Sequence, residues 1–137
     1  MPVPLASQLM RPLWFFVLGT AAFVLISYLE QVPVLGWLGA VVSLVAWVTL
    51  GRALARDGGS SMATAGILGA WTGFVGAFSA WAFQTGNLFG LTTPGLDRVG
   101  AGFGFIGATL GLLHWPLIGA AVCAGAAFFS LGRRLAS

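Results

Sequence analysis

Apolar residues fill four long stretches of this chain, and short polar breaks separate them. Met62 to Phe83 shows the pattern most clearly: twenty-two residues without a charge, long enough to cross a bilayer as a helix. Gly66, Gly69, Gly73, Gly76 and Ala80 recur at steps of three and four, so they share one helical face. Trp71, Phe74 and Phe78 fall on roughly the opposite face. One side suits close approach of another helix and the other suits lipid.

The same reading predicts an all-α integral membrane protein: a single domain, residues 1–137, with transmembrane helices over approximately 12–29, 34–54, 62–83 and 100–132. Leu13 to Leu29 contains no charge. Pro12 suits the first turn of that helix, while Trp14, Phe15, Phe16 and Tyr28 suit the interfaces. This run is too long and too aromatic for a signal peptide, and no small-x-small cleavage site follows it. Glu30-Gln31-Val32-Pro33 reads as a tight turn, with Pro33 restricting Val32 and Glu30 at the membrane surface. Asp57 to Ser61 reads as a polar loop, with Ser60 or Ser61 capping the third helix. Gln84 to Asp97 reads as the longest connection, with Gly86-Asn87 and Pro94-Gly95 as turn pairs. It is a surface crossing, and the place for a ligand if one lies outside the helices.

Arg98 to Gly132 is too long for one simple span, about 50 Å at helical rise against about 30 Å of hydrocarbon. Pro116 lies in its middle. The segment is one long helix kinked near Pro116, a partly interfacial helix, or two shorter segments. Charge decides the number of crossings. With four spans, Arg11, Arg52, Arg56, Arg133 and Arg134 fall on one side and Arg98 on the other, which is the positive-inside pattern. A fifth span would break it. The expectation is therefore a last helix that is long or broken near Pro116, with both termini cytoplasmic, in a bacterial cytoplasmic membrane.

Composition agrees with this picture. Only 7% of residues are charged against 58% hydrophobic, too few charges to cover a soluble globule. The six arginines are scattered, there is no lysine, and no basic cluster of the kind that binds nucleic acid is present. Cys123 stands alone, so it makes no internal disulfide and reads as a small buried hydrophobe.

Three spans share the arrangement G-x-x-G-A-x-x-small: Gly36, Gly39 and Ser43; Gly66, Gly69 and Gly73; Gly104, Gly107 and Gly111. Each glycine costs a helix about 1 kcal/mol relative to alanine, so a repeated glycine face implies a packing seam. That seam lies within the bundle or against another membrane protein or a second copy. The match stops at the flanking loops, which argues against an internal duplication.

Candidate chemistry is sparse. His114 is the single histidine and shares the face of Gly104, Gly107 and Gly111, which predicts that it faces protein; an ionisable group within a span is a functional suspect. One histidine makes no metal site, and no Ser/His/Asp arrangement exists. No cofactor or metal is expected, and an enzyme is the least supported class. The leading expectation is an accessory, assembly or structural subunit of a membrane complex, whose partners are the bilayer and another membrane protein or copies of itself. The alternative is a homo-oligomeric small channel or transporter for an ion or small solute.

Overall fold

The computed structural model describes residues 5–32, 34–56, 61–93 and 95–136, with side chains described from 12 to 133 within those ranges. The expectations for Pro33, for Asp57 to Ser60 and for Pro94 lie outside the described residues.

Four helices account for nearly all of the described chain: α1 Leu5–Glu30, α2 Gly36–Arg56, α3 Met62–Leu88 and α4 Arg98–Ala136. Each contains a stretch long and apolar enough to cross a membrane.

Two helices run clearly beyond the spans expected from sequence. Helix α1 begins seven residues before Pro12, which sits in its interior. A proline there forfeits one backbone hydrogen bond of the helix. Helix α3 continues five residues past Phe83, so Gln84 to Leu88 are helical rather than loop. The polar groups of this last turn are satisfied in place, with Thr85 Oγ1 donating to the Trp81 carbonyl at 2.8 Å and Asn87 Nδ2 donating to Gln84 Oε1 at 3.0 Å. Gly90, at φ +70°, then reverses the chain, and the Leu91 amide reaches back to the Gly86 carbonyl at 2.9 Å. That closure favours glycine because an L side chain rarely adopts positive φ. Helix α4 is continuous through Pro116 for 39 residues, about 58 Å at helical rise. The unbroken alternative therefore describes it.

Capping explains the starts of α3 and α4. Ser61 Oγ accepts from the Thr64 amide at 3.2 Å. Asp97 Oδ1 accepts from the Gly100 amide at 2.9 Å. Both satisfy amides that have no partner inside the helix.

The helices form a square. Helices α3 and α4 are antiparallel and pack most extensively, α1 lies parallel to α3, and α2 lies parallel to α4. The closest approach is between α3 and α4. A Cβ added to Gly69 would strike the Gly119 carbonyl oxygen, and one added to Gly119 would strike the Gly69 carbonyl oxygen. Next along the seam, a Cβ on Gly73 would lie 2.5 Å from the Trp115 carbonyl oxygen. Helix α2 joins through Gly51, whose added Cβ would strike the Cys123 carbonyl oxygen.

Around these contacts Phe23, Trp47, Leu54, Leu68 and Cys123 form the core. Trp47 Nε1 donates to Thr72 Oγ1 at 2.9 Å, and Thr72 Oγ1 in turn donates to the Leu68 carbonyl at 2.9 Å. The two buried polar groups thereby satisfy each other. Trp71, Phe74 and Phe78 are exposed along the outer face of α3, with Trp71 tilted against Phe74 at 6.3 Å and Phe74 stacked on Phe78 at 5.8 Å.

Candidate functional site

Glu30 ends α1, and its side chain turns inward along α2 rather than out to the surface. Gly39 makes this route available: a Cβ there would collide with Glu30 Cγ and lie 3.3 Å from both Cβ and Cδ. Beyond Gly39 the carboxylate accepts a hydrogen bond from the hydroxyl of Ser43, which is buried. Gly36, Gly39 and Ser43 therefore place a carboxyl group against α2, with Gly36 meeting the Glu30 carbonyl oxygen at 3.2 Å.

Two cavities meet at this carboxyl group. The outer one, about 310 Å³, has Gln31, Gly36, Gln84 and Gly104 in its walls. The inner one, about 60 Å³, is lined by Phe23, Ser43, Trp47, Gly73 and Gly76 among others. Glu30, Ala80, Gly107, Ala108 and Trp115 line both. The inner space admits a few water molecules or one small ion. Its floor is aromatic: Phe23 stacks on Trp47 at 5.1 Å, and Trp47 lies 6.1 Å from Trp115.

Polar side chains continue outward from the mouth. Gln84 Nε2 donates to Gln31 Oε1 at 2.8 Å, tying α3 to the end of α1. Asn87 Nδ2 donates to Gln84 Oε1, and Thr92 bonds Asn87 Oδ1. Each of these bonds uses one donor and one acceptor site, so the amide oxygens keep spare lone pairs, and the amide nitrogens keep further protons, near the mouth. The combination of a carboxylate, a hydroxyl, amide oxygens and aromatic faces is chemically suited to a cation.

The glycines named from sequence divide by what they touch. Gly69 and Gly73 meet α4 backbone, and Gly66 lies at ordinary distance, 3.7 Å, from Ala124. Gly76 faces Phe23 at 3.5 Å. An added Cβ on Gly104 would strike Gln84 Oε1, Gly111 meets only Trp115 of its own helix, and Gly107 meets nothing within 4 Å. Gly51 and Gly119, at two of the tightest approaches, belong to none of the repeated motifs. Glu30, Gln31, Gln84 and Asn87 were likewise not singled out as one site. Their positions near helix ends, all on one side of the predicted membrane, are the only sequence signal that groups them.

His114 is exposed, contrary to the expectation that it faces protein. The wheel places it near Gly111, but Gly107 on the same stripe also lies open, so that stripe leaves the seam. Its Nδ1 pairs with the Leu110 carbonyl of its own helix at 2.9 Å, and its ring lies beside Trp115 at 5.2 Å. His114→Phe is expected to leave the melting temperature in detergent within about 2 °C of wild type, since surface substitutions stay within about 0.5 kcal/mol. A larger loss would assign the imidazole a partner. Among the described residues, no three His, Cys, Asp or Glu side chains converge as metal ligands.

No protein family, curated protein or solved structure matches this chain. The site is therefore read from its own geometry.

Proposed function

We propose that this chain is an integral membrane protein of the small-transporter class, binding a small monovalent cation at Glu30. The observation that carries this reading is the Glu30 carboxyl group folded inward over Gly39 onto Ser43, at the junction of the two cavities. A carboxylate turned into a helical bundle is costly to desolvate and is retained where it has a ligand or partner. Among the described residues no Arg or His lines either cavity, so a mobile cation is the fitting counter-charge. The small inner volume favours sodium, potassium or ammonium over larger organic cations. The arrangement of arginines supports both termini lying on the cytoplasmic side, which opens the acidic mouth on the opposite side.

The test is flux into liposomes. Purified protein reconstituted in lipid vesicles should carry one of sodium, potassium or ammonium above protein-free vesicles. Gly39→Ala should reduce that flux several-fold with melting unchanged or raised, because alanine suits a helix better than glycine while its methyl displaces the Glu30 side chain from Ser43. Absence of flux and of binding for all three cations would sink the reading.

A separate observation favours the accessory or assembly subunit. Gly102, Gly107, Gly125 and Gly132 of α4 have nothing within 4 Å of an added Cβ, so part of this glycine-rich helix has no close partner within the chain. The mass of the intact particle from native membranes distinguishes the cases. A different co-purifying polypeptide supports the subunit, and a homo-oligomer supports self-contained transport. The close contact of Gly69 with Gly119 supports reading the glycine repeat as a seam inside the bundle.

A further inference from the structure

At the end opposite Glu30, helices α2 and α4 border a groove of about 880 Å³. The two helices are parallel here, because Gly119 meets Trp47 and Gly51 meets Cys123. Along α2 the groove is lined by Val48, then Arg52, then Arg56, at successive helical turns. Along α4 it is lined by Val122, Ala126, Phe129 and then Arg133, at steps of three and four. Both walls therefore change from apolar to cationic in the same direction, toward the end of the bundle. Val48 and Phe129 are exposed, as are Arg52 and Arg133. Of the acidic residues, Glu30 lines the cavities at the other end and Asp97 caps the start of α4 there, while Asp57 follows Arg56 in sequence and lies outside the described residues.

We infer that this groove binds an anionic glycerophospholipid, with the phosphate held by Arg52 and Arg133 and an acyl chain laid along Val48, Val122 and Phe129. The two parallel gradients match the polarity of such a lipid along its own length. Guanidinium groups hold phosphate oxygens in bidentate pairs, and basic residues beside membrane helices select anionic headgroups. Ser130, also in the groove wall, adds a hydroxyl for the glycerol or phosphate oxygens. A free phosphate would use the arginines but leave the apolar walls unmatched, so the lipid is the better occupant. The inference rests on residence in a membrane and is independent of the Glu30 site.

Native mass spectrometry of the full chain in a mild detergent tests it, with phosphatidylglycerol, phosphatidylcholine and inorganic phosphate added separately. Phosphatidylglycerol adducts should exceed phosphatidylcholine adducts at least fivefold on the wild type. Arg52→Gln with Arg133→Gln should lower them to the phosphatidylcholine level, while Arg98→Gln, at the opposite end, should retain them. If the double variant does not fold, each single variant should show a partial loss. Equal retention of the two lipids, an equal loss in Arg98→Gln, or phosphate adducts without lipid selectivity would overturn the assignment. Failure of the membrane reading would be visible beforehand, as a chain that stays soluble without detergent.

Discussion

Gly119→Leu abolishes the folded bundle in mild detergent, and Gly119→Ala already destabilises it. Helices normally gain about 1 kcal/mol when alanine replaces glycine. At Gly119 the sign reverses, because the first added carbon collides with the Gly69 carbonyl oxygen and lies 2.9 Å from Trp47 Cε2. Backbone is on one side and a fully buried indole on the other, so neither yields without separating α3 from α4. Overpacking of this kind costs about 1–3 kcal/mol for a small addition and more for a large one. Gly102→Ala is the internal control: nothing lies within 4 Å of its added carbon, so it should stabilise. Thermal melts followed by size-exclusion chromatography read both variants. Equal melting of Gly119→Leu and wild type would show that this close approach does not hold the bundle together.

Glu30→Gln removes cation binding while leaving the fold intact. Glutamine keeps the shape of the side chain and an oxygen that accepts from Ser43, so packing over Gly39 survives. What disappears is the negative charge. A unit charge at about 4 Å is worth about 4 kcal/mol at an effective dielectric constant near 20. Even after allowing for ion dehydration, affinity should fall at least tenfold. Isothermal titration with the cation that gives flux, together with the flux itself, measures the loss. Glu30→Asp should bind weakly, because the shorter arm stops before Ser43. Wild-type affinity in Glu30→Gln, with flux retained, would move the cation site elsewhere.

The helices were legible because apolar periodicity and the rarity of charge report directly on local structure. Arginine placement also grouped the chain ends: Arg52, Arg56 and Arg133 share one groove. Pro116 left three outcomes open, since a proline removes one hydrogen bond whether or not the helix then breaks. The candidate site was much less legible. Glu30 sits at a helix end beside a turn, a position that ordinarily implies a solvated carboxylate. Its inward path depends on the missing side chain at Gly39, on a different helix. Gly51 and Gly119 escaped for a related reason: a contact between helices depends on their relative register, which no pattern within one helix encodes. His114 shows the converse error: it was placed on the glycine face of its own helix, yet the contacts with α3 run through Trp115 and Gly119 and leave His114 exposed.

Phe23 stacks on Trp47, Trp115 lies tilted beside it, and the bond from Trp47 to Thr72 holds these rings against the inner cavity. From Gly36 at the mouth to Ser43 is seven residues of α2, about 10 Å at helical rise, or roughly a third of the hydrocarbon thickness. On the proposed reading, an ion beside Ser43 would sense only that fraction of an applied voltage. A full crossing is worth about 2.3 kcal/mol per 100 mV, so occupancy should respond by about 0.8 kcal/mol. On that reading, complete passage would require these rings to move. The electrical signature of binding is then shallow, and any steep voltage dependence belongs to the rearrangement of the rings.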